Sequence, residues 1–264
     1  MNPVAFEILG ISIMWYGIFI SAGVLSVILY GGLMLKRYGI YDEDRYYGLV
    51  LAVVLSGFLG ARLYYVLFNL GRYDSFLEIL NFRQGGLAFH GGVIAGIAAI
   101  LLYTWKKKLD ILRYLDVIGT GTLLAQAIGR WGNFFNQEAH GSIVSKEFIS
   151  SFPAFIQKGM FINGSYYHPT FLYESISGLF SFALLTFLMV RFPKIRKGTF
   201  IALALIANSI TRIWVEGLRT DSLMIGQVKV AQLVGIFAIF FSFLYLLYLY
   251  SPKGNPGKKK KKRK

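Results

Sequence analysis

A chain of 264 residues that is 55% hydrophobic, 16% charged and +0.54 in mean hydropathy holds more apolar side chains than a soluble core absorbs, because soluble domains carry roughly 25% charged residues. Cysteine is absent, which excludes disulfides, thiolate metal sites and a cysteine nucleophile of the chain's own. The three histidines lack metal-ligand spacing, so no zinc site is expected, and the net charge of +15, concentrated at one end, points to a membrane surface and not to nucleic acid.

A helix crosses a bilayer with about 20 apolar residues. In chain order, seven segments meet that length: Ile11–Leu35, Tyr46–Phe68, Leu87–Trp105, Tyr114–Trp131, Pro169–Val190, Gly198–Val215 and Val228–Tyr250. No Lys or Arg precedes the first run and no small-residue cleavage pattern follows, so it reads as a retained span and not a signal peptide. Gly57 and Gly60 in the second span, and Gly92 and Gly96 in the third, are small residues that let helices approach closely in lipid. The predicted fold is all-α: a polytopic membrane domain over residues 1–250 with a small extracytoplasmic loop or head at about 132–168. A basic tail, 251–264, follows it. That tail joins a Pro/Gly-rich linker to the unbroken run Lys258–Lys264, which either lies along anionic cytoplasmic lipid or is simply solvated.

Sidedness follows from Lys and Arg. With the N-terminus outside, the cytoplasmic connections carry Lys36, Arg37 and Arg45, then Lys106–Lys108 and Arg113, then Arg191, Lys194, Arg196 and Lys197, with Lys253 and the terminal run in the tail. The outer side holds Arg72, Arg83, Lys146, Lys158, Arg219 and Lys229, a ratio of 19 to 6 that places the C-terminus in the cytoplasm. Arg62, Arg130 and Arg212 are left within or at the ends of spans.

This orientation sets unusual polar residues of six spans at the outer leaflet: Trp15-Tyr16-Gly17, Arg62, Phe89-His90-Gly91-Gly92, Arg130, His168-Pro169 with Tyr173-Glu174, and Arg212 with Glu216 and Arg219. The inner halves show no comparable set apart from Asp116. A transport path or scramblase would carry polar groups on through the midplane. A membrane phosphatase or acyltransferase would need a clustered Asp/His or metal-ligand motif, which is missing. Guanidinium forks suit phosphate oxygens, so Arg130 and Arg212 read as phosphate ligands, the alternative being interfacial snorkelling. Glu216, at i+4 from Arg212, is positioned to neutralise it. Snorkelling applies most to Arg62. His90, between Phe89 and two glycines, is a candidate general base or a hydrogen-bonded structural histidine. His168 reads as a helix-start residue or a site contact, and Tyr16 as a headgroup donor or an interfacial tyrosine. His140 has no assigned role.

The stretch Gly129–Gly141, GRWGNFFNQEAHG, resembles the signature of the bacterial phosphatidylglycerol–prolipoprotein diacylglyceryl transferases, Gly-Arg-x-Gly-Asn-aromatic-x-Asn-x-Glu-x-x-Gly. The other blocks are similar to that family in the same order along nearly the whole chain, including Leu172-Tyr173-Glu174 and Arg212-x-x-x-Glu216-x-x-Arg219. The resemblance implies transfer of the diacylglyceryl group of phosphatidylglycerol to the thiol of a lipobox cysteine in a prolipoprotein signal peptide, at the bacterial cytoplasmic membrane. It implies Arg130 as the main phosphatidylglycerol-binding residue and Arg212 as a second essential arginine. Tyr16, His90, Asn133, Glu138 and Gly141 are placed in or near the site, with Glu216 and Arg219 in the last block and His168, Glu174 and Arg62 supporting. One departure stands at Asn208, four residues before Arg212, where the family commonly has tyrosine. Because the nucleophile is the substrate's thiol, an enzyme of this kind needs no cysteine, and the implied reaction requires no metal or organic cofactor. A base such as His90 and the arginines' field would raise the fraction of thiolate.

Overall fold

The structure, a computed structural model, describes residues 1–8, 10–73, 75–81 and 85–252. Arg83, Lys253 and the run Lys258–Lys264 therefore lie outside the described residues. The elements in order are β1 (Val4–Ile8), β2 (Ile11–Met14), α1 (Trp15–Arg37), α2 (Glu43–Leu67), a single 3-10 turn (Leu70–Arg72), α3 (Phe76–Ile79), α4 (Phe89–Lys106) and α5 (Ile111–Asn136). Then come β3 (Ile143–Val144), α6 (Lys146–Ser150), α7 (Ala154–Gly159), β4 (Phe161–Ile162), β5 (Ser165–Tyr167), α8 (Thr170–Arg191), α9 (Thr199–Leu218), β6 (Met224–Ile225), β7 (Val228–Lys229) and α10 (Val230–Tyr250).

The protein is a mostly helical, polytopic membrane protein. Six helices, α1, α2, α4, α8, α9 and α10, are long and apolar enough to cross a bilayer. The remaining predicted span is α5. It is helical for 26 residues, but Arg113, Asp116 and Arg130, with Gln126, Asn133, Asn136 and two threonines, make it the least hydrophobic of the long helices. Short strands accompany the helices: two two-stranded hairpins and a three-stranded sheet ordered β3-β5-β4. Ile11–Met14, assigned to the first span, is a strand paired with β1. Helix begins only at Trp15, whose N–H donates to the Pro3 carbonyl at 3.0 Å.

Local chemistry sets the helix ends. Asp42 accepts from the Arg45 N–H at 3.0 Å and caps α2, with Glu43 and Asp44 following at the positive end of the helix dipole. Lys36 and Arg37 occupy the last turn of α1. Asp116 is fully buried on α5, where its two oxygens accept from the N–H groups of Gly198 (2.8 Å) and Ile201 (2.9 Å) at the start of α9. The lone inner-half carboxylate of the sequence thus caps a neighbouring helix whose first N–H groups have no intrahelical acceptor.

The chain divides into two compact units, Leu35–Tyr114 and the remainder. In the first, α2 and α4 meet through glycines. A side chain at Gly60 would collide with Ala95 and Gly91, and one at Gly91 with Tyr64 and Gly60. In the second, α1 runs antiparallel along α5. Tyr16 lies against Gly132, Ile20 against Gly129, Gly23 against Ala125 and Tyr30 against Gly121. Such contacts bring backbones close where lipid supplies no hydrophobic drive to associate. Helices α8 and α9 are joined by the Ser177–Thr211 hydroxyl bond at 2.6 Å, and Gly235 of α10 packs on Ile213 of α9.

Candidate active site

Helix α5 continues five residues past the predicted end of the fourth span, so most of the signature is helical: Gly129–Asn136 forms its last two turns. Helical spacing then sorts the motif by face. Gly132 admits the Tyr16 ring, and Phe135 stacks on Trp15 with centroids 4.7 Å apart. Phe134 is buried in the head core with Ile149, Ile156, Met160 and Phe171, against which Trp131 also packs. Arg130 and Asn133, three apart, remain for the polar face, where Arg130 Nη1 lies 3.4 Å from Asn133 Oδ1.

Opposite that face stands Glu174, in the second turn of α8 and only 6% exposed along its side chain. Its Oε1 lies 2.8 Å from Arg130 Nη2 and 3.2 Å from Arg212 Nη1 on α9. Arg212 turns its other nitrogen to Glu216 Oε2 at 2.8 Å, the predicted i+4 pair. On the other side, Asn133 donates to Glu138 Oε1 at 2.9 Å, and Asn136 reaches the same oxygen at 3.4 Å. Three helices and the loop after α5 thus contribute one continuous network, Glu216–Arg212–Glu174–Arg130–Asn133–Glu138. Two guanidinium forks converge on a single anionic oxygen. Both arginines keep some exposure, 23% and 29%, so the forks remain accessible.

The network borders a narrow cleft between α5, α8 and α9. Besides Arg130, Glu174 and Arg212, its walls include Gln126, Ser181, Asn208 and Thr211. The polar lining therefore reaches about one helix turn from Arg130 and Arg212 toward the middle of α5 and α9. Gln126, Ser181 and Thr211 were missed as single polar residues within apolar runs, and Asn208 was noted only as a departure from the family pattern. A signal was available: Gln126 stands four residues before Arg130 and Asn208 four before Arg212, one turn along the same faces.

Gly141 is a junction. Its N–H donates to the His168 carbonyl at 3.1 Å, it bridges to Arg219, and the Ser142 N–H donates to the Leu218 carbonyl at 2.9 Å. A Cβ there would stand 2.5 Å from His168 Cβ, 3.1 Å from Thr170 Cγ2 and 3.2 Å from the Leu218 oxygen. The glycine lets the signature loop lie against the start of α8 and the end of α9 together. Gly141→Ala is expected to destabilise the protein by about 1–3 kcal/mol, the range for overpacking a fitted core. A thermal melt in detergent checks this, and an unshifted midpoint would show that the junction has slack.

His168 also serves this junction. Its N–H donates to the Ser142 carbonyl at 3.0 Å, Nδ1 lies 3.2 Å from the Tyr173 hydroxyl, and the ring meets Phe148 edge-on. Burial holds its imidazole below the usual histidine range, so it is neutral at pH 7. Arg219 follows α9 and pairs through two nitrogens with Asp221, at 2.9 and 2.8 Å. The hydrogen bonds from Arg219 hold the Asp221 carboxyl below its usual value. Lys229 Nζ donates to the carbonyls of Glu216 (2.6 Å) and Arg219 (2.7 Å), satisfying the C-terminal end of α9. His140, given no role from sequence, packs on the Tyr167 ring and places Nδ1 3.1 Å from the Gly141 oxygen. Metal-binding clusters of His, Asp and Glu are absent among the described residues.

Arg62 and His90 belong to the other compact unit. Arg62 is buried, and its guanidinium donates to the carbonyls of Glu78, Ile79, Asn81, Gly85 and Gly86 at 2.7–3.1 Å. It gathers the segment between α2 and α4, a structural use of the fork. His90 is exposed in the first turn of α4, edge-on to the Phe89 ring.

The family model described as prolipoprotein diacylglyceryl transferase matches residues 3–248. A Clostridium perfringens protein named phosphatidylglycerol–prolipoprotein diacylglyceryl transferase 1 is 45% identical over 262 residues, 99% of this chain and 98% of that protein. Proteins named phosphatidylglycerol–prolipoprotein diacylglyceryl transferase from Clostridium botulinum strain Loch Maree and Clostridium kluyveri are 47% and 46% identical. They cover 93% and 94% of this chain, and 96% and 97% of their own lengths.

Proposed function

We propose that this chain, which belongs to the prolipoprotein diacylglyceryl transferase family, transfers the diacylglyceryl group of phosphatidylglycerol to the thiol of a lipobox cysteine in a prolipoprotein signal peptide. The sulfur forms a thioether with the glyceryl carbon, the C–O bond to phosphate breaks, the thiol proton is lost and glycerol phosphate leaves. This is the first step of lipoprotein maturation, and it needs no nucleophile from the enzyme.

The observation that carries the reading is the pair of forks converging on one carboxylate oxygen, 2.8 and 3.2 Å away. A phosphate oxygen has the charge and size to take that oxygen's place. As the C–O bond breaks, negative charge grows on phosphate, and donors already aimed at it stabilise the transition state more than the ground state. Arg130 is the main phosphate ligand and Arg212 its partner. Asn133, Glu138 and Glu216 hold those arginines in position, Gly141 and Arg219 fix the surrounding junction, and Tyr16 serves the headgroup from α1. The site faces the outer leaflet of the bacterial cytoplasmic membrane, with α5 as the seventh span, the N-terminus outside and the C-terminus inside. The Lys and Arg bias supports this orientation. The direct test is transfer to a synthetic lipobox peptide from phosphatidylglycerol vesicles, read by peptide mass. No diacylglyceryl adduct under conditions where the protein is folded would end the proposal.

His90 is the candidate base by motif position. His90→Gln is expected to slow transfer at pH 7, with the deficit shrinking as pH approaches the thiol's own pKa of about 8.5, where thiolate forms unaided. A deficit constant across pH would assign His90 a different role.

A further inference from the structure

We propose that Gln126, Ser181 and Asn208 form a polyol subsite beneath the paired arginines, which holds the glycerol of the phosphatidylglycerol headgroup and selects this lipid. The inference rests on the transferase reading and deepens it. All three residues line the same cavity as Arg130, Glu174 and Arg212. Each stands on the inward side of its helix's charged residue. Helices α5 and α9 run one way and α8 the other. Accordingly Gln126 and Asn208 precede Arg130 and Arg212, whereas Ser181 follows Glu174. The displacement is four residues on α5 and α9, about 6 Å of helix rise. That is the scale on which a three-carbon polyol extends from its phosphate ester.

The chemistry of the wall is specific. Two amides and a hydroxyl supply both donors and acceptors and carry no charge. They suit the hydroxyls of a glycerol and offer no counter-charge to an ammonium headgroup. Gly178 lets α8 close on Leu123 and Ala127 of α5 at this level, which narrows the space. Thr211 is already committed, to Ser177 at 2.6 Å and to the Ala207 carbonyl at 3.2 Å. By contrast, the side chains of Gln126, Ser181 and Asn208 make no hydrogen bond to other described residues. Polar groups within a membrane helix are unfavourable unless something satisfies them, and here they surround a space contiguous with the phosphate forks.

The experiment uses the full-length protein, a lipobox peptide and two donor lipids with identical acyl chains, phosphatidylglycerol and phosphatidylmethanol. The second keeps the phosphodiester and lacks the polyol. Wild type is expected to prefer phosphatidylglycerol by about ten-fold or more in kcat/KM, the scale of one or two hydrogen bonds between uncharged groups. Asn208→Leu and Gln126→Leu are each expected to reduce that preference several-fold, mainly by slowing the phosphatidylglycerol reaction. Equal use of both lipids by wild type, or an unchanged ratio in both variants, would overturn the subsite. Absence of transfer from either lipid by wild type would instead overturn the transferase reading beneath it. A solution arm separates the headgroup from the free product: glycerol phosphate should inhibit wild type more strongly than methyl phosphate does, and Asn208→Leu should erase that difference. Identical inhibition by the two phosphates in wild type would also count against the subsite.

Discussion

Arg130→Lys is expected to lower diacylglyceryl transfer by about 100-fold or more while leaving the protein folded, the scale seen when one preorganised donor to a developing oxyanion is removed. The substitution keeps the positive charge, so a purely electrostatic anchor would survive it. What it removes is the planar fork. In the structure Arg130 Nη2 takes Glu174 while Nη1 lies toward Asn133, two directions held by one rigid group. An ammonium is a compact point charge on a flexible stem and cannot hold both at fixed angles. On the proposed mechanism, the second direction stabilises charge as it reaches the departing phosphate. The measurement is turnover with phosphatidylglycerol and a lipobox peptide, beside circular dichroism and a melting curve of the variant. Retention of more than a tenth of wild-type turnover would show that charge alone suffices and that the fork is incidental.

The membrane helices were legible because their signal is long: about twenty apolar residues outvote any single polar one. The short strands were not, because the same apolar runs hide them. Asn163-Gly164, with positive φ at both residues, is the two-residue turn that joins β4 to β5, and that dipeptide is a strong hairpin signal. It lies inside a loop read only for its length. Ile11–Met14 was lost differently, since a strand contiguous with a membrane helix lengthens the run without breaking it. At the site, Arg130, Arg212 and Glu216 were recognisable as charges at the ends of apolar runs. The sharing of Glu174 by two arginines was not, because it is a contact among three helices distant in sequence, whereas the i+4 partner of Arg212 is visible along one helix. Arg62 shows the limit from the other side. An arginine near a span end reads alike whether it meets phosphate or backbone, and only the folded chain shows that the carbonyls of Glu78, Ile79, Asn81, Gly85 and Gly86 claim it.

Glu174→Gln separates holding the arginines from competing with their ligand. In wild type the carboxylate lies between two guanidiniums and is almost fully removed from solvent. Any phosphate that reaches Arg130 and Arg212 must displace that oxygen or share with it. Glutamine keeps the shape and one acceptor but loses the charge, leaving two cations close together without their common anion. Removing one partner of a buried ion pair destabilises by about 3 kcal/mol at the lower end of the usual range, so the lipid-free variant is expected to melt well below wild type. The same change removes the internal competitor. A phosphate ligand then meets two forks freed of Glu174, Arg212 still paired with Glu216, binds more tightly, and stabilises the folded state in proportion to the logarithm of its concentration over Kd. Added glycerol phosphate should therefore raise the melting temperature of Glu174→Gln by more than it raises that of wild type, recovering part of the lost stability. Melting curves at several ligand concentrations measure both quantities. If the variant melts like wild type, Glu174 is not holding the pair. If it melts lower yet gains no more from the phosphate, the arginines do not take the anion at the place where Glu174 now sits, and the phosphate must engage them from another side.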